Sequence, residues 1–211
     1  LLVHGQHWHV SVEAERLIYQ DETGLLDLPL PNLPGPHQVE NAGAAIATLR
    51  HLGMGEIACT AAVSQAHWPA RMQRLRSGPL VENLSSNEIW LDGGHNPSAG
   101  RAIAATLASL ARRETHIICG MINTKDVQGF LAPIAKHCVS LTAITIPNEP
   151  NAVPAADLAA AGQACGISSA EGGPINQVLA GLAQRHPEAR ILICGSLYLA
   201  GHVLRENDES A

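Results

Sequence analysis

From residue 89 onward the chain repeats one pattern: a short run of β-branched and apolar residues, then a longer stretch with helical spacing. Ile89-Trp90-Leu91, His116-Ile117-Ile118-Cys119, residues 141–146 and Ile191-Leu192-Ile193-Cys194 read as buried strands. Residues 97–112, 126–137, 154–164, 174–186 and 196–205 read as helices. Strands separated by helices of this length cannot pair as hairpins, whereas parallel neighbours need crossovers of this kind. The expected fold class is therefore α/β: a doubly wound, mostly parallel sheet with helices on both faces. Such sheets bind ligands beyond the carboxyl ends of their strands, so the strand-to-helix junctions are where chemistry is sought.

The preceding residues follow another pattern. Val10 with Val12 and the run Leu17-Ile18-Tyr19 suggest two short strands, followed by a proline-dense stretch over 28–35. Ala42, Ala45, Ile46, Leu49 and Leu52 predict a helix over 37–52, with Gly53 at its C-terminal cap. A second helix is expected over 55–66, ending before Trp68-Pro69. Arg71, Arg74 and Arg76 follow without periodicity and read as a solvated linker in which only Arg71 looks positioned. The expected domains are 1–76 and 77–211.

Composition narrows the function classes. With 46% hydrophobic and 15% charged residues the chain can build a core. A net charge of −6 does not favour nucleic acid or an anionic membrane as partner. No run approaches the roughly 20 apolar residues that span a bilayer, and no secretory pattern opens the chain. Five widely spaced cysteines without a C-x-x-C pair fit a reduced, cytoplasmic setting, with Cys119 and Cys194 acting as small apolar strand residues. The only lysines are Lys125 and Lys136, and neither follows a glycine, so the G-x-x-x-x-G-K-[ST] phosphate loop does not occur in this chain. A chain that opens in mid-pattern is expected to be a piece of something longer.

Among the junctions, Asp92-Gly93-Gly94-His95-Asn96-Pro97 is the richest. Asp92 would close a strand, the glycines permit a tight turn, and Asn96-Pro97 forms an N-cap with proline at the first helical position. A carboxylate there suits ribose hydroxyls or a metal rather than phosphate, and His95 adds nothing to a cap. The alternative reading is that Asp92 and Asn96 only satisfy backbone donors. Gly195-Ser196-Leu197-Tyr198 is a second such junction, where Ser196 reads equally well as a plain N-cap. In the third, Gly120 to Asp126, Lys125 is read as a solvated charge. His4, His7 and His9 lack further ligands and are given structural or surface roles, and no metal-ligating residues are assigned. Gly53-x-Gly55-x-x-Ala58 follows a helix rather than a strand and is not a dinucleotide fingerprint.

Four ordered motifs carry a family resemblance: residues 33–42 around His37, Gln38 and Asn41; Trp68-Pro69-Ala70-Arg71-Met72-Gln73; residues 92–97; and residues 195–201. Together they resemble the C-terminal part of folylpolyglutamate synthase, including its bifunctional form that is also dihydrofolate synthase, within the Mur ligase superfamily. The resemblance implies an ATP-dependent carboxylate-amine ligase that adds L-glutamate to folates or to dihydropteroate through an acyl phosphate. By motif matching, Asn41 and Arg71 would contact ATP from the central-domain side, Asp92 would hold the ribose, and His95 would lie near the transferred phosphate. Ser196 and Tyr198 would face the incoming glutamate. Residues 1–76 would then be a remnant of the central ATPase domain. The P-loop and the Mg2+ ligands would lie in an N-terminal domain outside this chain, which alone would be inactive. The family resemblance also implies a monomer. The sequence departs from the family at Ala70, where glycine is usual before the arginine, and at Asn123, where an acidic residue is common. A longer stretch between Arg71 and Asp92 reads as a hairpin over 80–90 with Ser85, Ser86 and Asn87 at its tip. Two rivals stay open: a non-catalytic nucleotide-binding α/β module, and a Mur-type ligase for another acceptor.

Overall fold

The computed structural model describes residues 1–84 and 86–208, which divide into two compact units, Leu1–Pro69 and Ala70–Ala211. In the first unit, β1 (Trp8–Glu13), β2 (Arg16–Asp21) and β3 (Gly24–Pro29) form an antiparallel meander. Two strands were expected. The third, β3, lies partly in the proline-dense stretch, yet it alternates as a half-buried strand should, with Leu26 and Leu28 buried. α1 (His37–His51) and α2 (Glu56–Ser64) occupy the predicted helices. Ile46, Ala47, Cys59 and Val63 pack with Trp8, Leu17, Tyr19, Leu26 and Leu28 into this unit's core. Arg50 on α1 donates to both Asp21 oxygens, at 2.7 and 2.9 Å, and so ties the helix to the β2–β3 turn.

The second unit holds a six-stranded sheet in the order β4 (Gln73–Leu75), β5 (Glu88–Leu91), β9 (Arg190–Cys194), β6 (Thr115–Cys119), β7 (Ser140–Ala143), β8 (Ser168–Glu171). All neighbours are parallel except β4–β5. Helices α3 (Pro97–Ser109), α4 (Val127–Leu131), α5 (Ala155–Ala164), α6 (Ile175–Arg185) and α7 (Leu197–Glu206) alternate with these strands. Alternation along each strand decides which helix covers which face. Trp90, Ile117, Cys119, Leu141, Leu192 and Cys194 pack with α3, α4 and α5. Ile89, Leu91, Ile118, Ile191 and Ile193 pack with α6 and α7. This is the doubly wound sheet that the strand–helix repeat implies.

Several expectations need correction. The boundary falls at Pro69, ahead of the arginine-bearing segment, because β4 pairs with β5 and carries that segment into the second unit. Arg74 is no solvated linker residue: it pairs with Glu88 at 3.3 Å and lies over the Trp90 ring. The expected hairpin is instead the β4–β5 pair, joined by a longer connection of turns, and Ser85 lies outside the described residues. The helix expected over 126–137 is broken into α4 and a 3-10 turn, Ala135–His137. β8 went unforeseen because an edge strand of sequence Ser-Ser-Ala-Glu has no apolar run. Among the described residues, no helix is long and apolar enough to cross a membrane.

Candidate functional site

β9 lies between β5 and β6, yet α7, which follows it, packs on the face opposite to α3 and α4. Neighbouring strands whose chains leave on opposite faces open a crevice at their carboxyl ends. Asp92 stands there, directly after Leu91, with its backbone N–H donating to Ile193 O at 2.9 Å and continuing the ladder. Its side chain is buried. One carboxylate oxygen accepts from Gly94 N–H at 2.7 Å and the other from Met72 N–H at 2.8 Å. The reading of Asp92 as a residue that satisfies backbone donors is therefore part of its role.

The Met72 contact fixes a turn of unusual backbone. Ala70 and Met72 adopt φ of +55° and +41°, which L-residues other than glycine rarely adopt. Three hydrogen bonds hold them. Ala70 N–H donates to Gln73 Oε1 at 2.9 Å, Gly93 N–H donates to Ala70 O at 2.8 Å, and Met72 N–H donates to Asp92. Ala70 meets this left-handed geometry at a steric cost of about 1–2 kcal/mol that a glycine would not incur. Arg71, half-buried, lies within this turn, next in the chain to the Met72 amide that bonds Asp92. Arg71 was expected to act from the first domain, but it belongs to the second unit.

His95 follows in the same turn. A carbonyl can only accept, so the 2.9 Å contact between His95 Nδ1 and Gly93 O assigns the Nδ1 proton to that bond and turns Nε2 away from it. Asn96 caps α3 by accepting from Ala99 N–H at 2.9 Å, with Pro97 at the first helical position. Gly94 cannot be replaced cheaply, because a Cβ there would lie 2.8 Å from an Asp92 carboxylate oxygen and 2.9 Å from Ala99 Cβ.

The last junction joins the first. Gly195, at φ +108°, donates its N–H to Gly94 O at 3.0 Å. Beneath it Cys119 and Cys194 are buried, and a hydrogen bond with Cys119, added to burial, holds the Cys194 thiol well above its ordinary pKa. Ser196 is buried and caps α7 by accepting from Tyr198 N–H at 3.0 Å, while the Tyr198 side chain is exposed. Arg71, Asp92, His95 and Ser196 thus meet at one sheet edge. Asn41 lies in the first unit, at the start of the second turn of α1, where it donates to Gln38 Oε1 at 2.9 Å. Sequence reasoning missed the turn-forming role of Met72 and Gln73, whose signal was their place in the Trp68–Gln73 motif.

Chemically, this edge carries a buried carboxylate, a guanidinium, an imidazole nitrogen and a capped helix N-terminus. Residues 80–206 match the family described as dihydrofolate synthetase, C-terminal domain. The chain is 27% identical to a folylpolyglutamate synthase of Lacticaseibacillus casei over 90% of its own length and 43% of the relative's. Its fold matches Escherichia coli FolC in complex with DHPP and ADP, with a TM-score of 0.82 at 24% identity, over 97% of this chain and 47% of that one. It also matches the Yersinia pestis bifunctional folylpolyglutamate synthase/dihydrofolate synthase complexed with AMPPNP and Mn, with a TM-score of 0.79 at 23% identity, over 96% and 46% of the two chains. The chain spans less than half the length of the curated relatives it matches. With residues 80–206 matched and the four motif residues gathered at the edge where that match lies, the chain belongs to the dihydrofolate synthetase C-terminal domain family.

Proposed function

We propose that this chain supplies the glutamate-ligase half of an ATP-dependent carboxylate-amine ligase acting on folates or dihydropteroate. The observation that carries the reading is the joining of the two motif junctions, Asp92–Pro97 and Gly195–Tyr198, through the Gly195 to Gly94 hydrogen bond. The residues fit a nucleotide. A carboxylate at Asp92 suits a ribose hydroxyl, and a guanidinium at Arg71 matches phosphate oxygens. Asn41 is assigned a second nucleotide contact from the first unit, which we read as the end of an ATPase domain.

In the reaction a folate-linked carboxylate oxygen takes the γ-phosphoryl group of ATP, releasing ADP. The glutamate amine then attacks the acyl carbon, loses a proton, and expels phosphate to leave an amide. Positioning and charge neutralisation dominate such transfers. Arg71 neutralises phosphate charge, and His95, with Nδ1–H held by Gly93 O, donates through a protonated Nε2 to an oxygen of the transferred group. Tyr198 and the Ser196 hydroxyl proton face the amino-acid side. Mg2+ would be held by groups outside this chain, as would the lysine of a phosphate loop. We therefore assign the activity to a cytoplasmic, monomeric protein in which this chain follows a P-loop domain.

The test is phosphate release with ATP, glutamate, and either tetrahydrofolate or dihydropteroate. The chain alone is expected to release none, and the chain placed behind a P-loop domain is expected to release phosphate only when all three substrates are present. Turnover by the isolated chain, or turnover independent of glutamate, would overturn the reading in favour of a different enzyme or a nucleotide-binding module.

A further inference from the structure

The amino-terminal edge of the same sheet gathers side chains that the ligase chemistry does not use. Glu114 immediately precedes β6, His116 is its second residue, and His186 directly follows α6. One donor atom from each lies within 4.8 Å of the other two. Glu114 Oε1 is 3.2 Å from His116 Nε2 and 3.3 Å from His186 Nδ1. The two rings face each other with centroids 4.0 Å apart. Tetrahedral Zn2+ holds nitrogen and oxygen ligands at about 2.0–2.2 Å, which sets neighbouring ligands about 3.3–3.5 Å apart. Both edges of the triad that run through Glu114 already have nearly that length.

The orientation of His116 agrees. Its ring is buried at 1% exposure, and Nδ1 lies 2.8 Å from Ser140 Oγ. In the tautomer whose Nδ1–H donates to Ser140, the Nε2 lone pair points at Glu114. Metal-bound histidines use this kind of outer partner to fix the ring. In that tautomer the Glu114 carboxylate and the Nε2 lone pair converge on one point, where a cation would be held. Glu114 is exposed and opens that point to solvent. Arg113, next in the chain, is turned elsewhere and donates to Glu188 O at 2.6 Å.

We infer that Glu114, His116 and His186 form a site for a divalent cation of the Zn2+ class, with a water as fourth ligand, that staples the end of α6 to the start of β6. Two imidazoles and one carboxylate suit Zn2+ rather than Mg2+ or Ca2+, which take oxygen ligands. The site is independent of the ligase reading and lies at the other end of the strands from Asp92. His116 and His186 come from distant parts of the chain, so no sequence spacing announces it.

Calorimetric titration of the chelator-treated chain with Zn2+ tests the inference. One site per chain is expected, with little response to Mg2+. Glu114→Gln and His186→Gln, both at side chains with solvent access, should each weaken it at least tenfold, and Ser140→Ala by about tenfold or more through the outer partner. Circular dichroism without metal checks that each variant is folded, and Zn2+ should raise the melting temperature of the parent but not of Glu114→Gln. Absence of Zn2+ binding by the folded parent would overturn the inference. So would retention of the parent's affinity by both Glu114→Gln and His186→Gln, which would place the ion on other histidines or on thiols.

Discussion

One sheet in the second unit ends in two edges built by opposite means. At the carboxyl edge the polar groups are held by backbone: Asp92 by two amides, Ser196 by a cap, and Arg71 by a turn whose neighbours sit at φ +55° and +41°. At the amino edge they are held by charge. Glu88 accepts from Arg190 at 3.0 Å and pairs with Arg74 at 3.3 Å, and Arg190, 3% exposed, also donates to Ala111 O at 3.0 Å. The backbone-held groups at the carboxyl edge are those assigned to the ligand, whereas the Glu88 cluster at the amino edge is spent on pairing within the fold.

Substitutions at the two edges should therefore differ in kind. The largest stability loss is expected at the amino edge, where Glu88→Ala strands the buried Arg190 and costs about 3 kcal/mol in denaturant melts. Acid should act on the same residue. Burial alone would raise the Glu88 pKa, but hydrogen bonds from Trp90 and Arg190 and the charges of Arg190 and Arg74 outweigh it, so the net shift is downward from 4.5. A depressed carboxylate pKa contributes stability that is present above 4.5 and lost as pH falls through the folded-state value. Melting temperature should fall below pH 4.5 in the parent, and less steeply in Glu88→Ala.

Asp92→Ala comes next, at about 2 kcal/mol or more, because it leaves the Gly94 and Met72 amides unpaired. It should also lower ligation about a hundredfold or more in a protein carrying this chain behind a P-loop domain. Ser196→Ala removes a helix cap and should cost about 1 kcal/mol. His95→Ala should change stability by less than about 0.5 kcal/mol while lowering ligation about a hundredfold. The comparison breaks if His95→Ala is as destabilising as Glu88→Ala, or if Glu88→Ala abolishes ligation in protein that is still folded.

Much of this was legible beforehand. The strand–helix repeat after residue 89 implied the doubly wound sheet, because a buried parallel strand must be apolar on both faces and Ile191 to Cys194 meets that demand locally. Asn96 and Ser196 were readable as caps because a cap is decided within three residues. β4, β8 and β3 were not legible. β4 is three residues long, β8 is a polar edge, and β3 runs into prolines, so each owes its pairing to a neighbour rather than to its own pattern.

The candidate site divides along the same line. Local chemistry was enough to nominate Asp92 and His95, whose turn and cap are set by adjacent residues, whereas the ligand roles given to Arg71 and Ser196 came from the family resemblance. That Arg71 belongs with Asp92, that Gly195 bonds to Gly94, and that His116 meets His186 required the fold. Each pairing joins residues far apart in the chain: β4 beside β5 brings the Arg71 turn to Asp92, and the insertion of β9 between β5 and β6 brings Gly195 to Gly94 and His186 to His116.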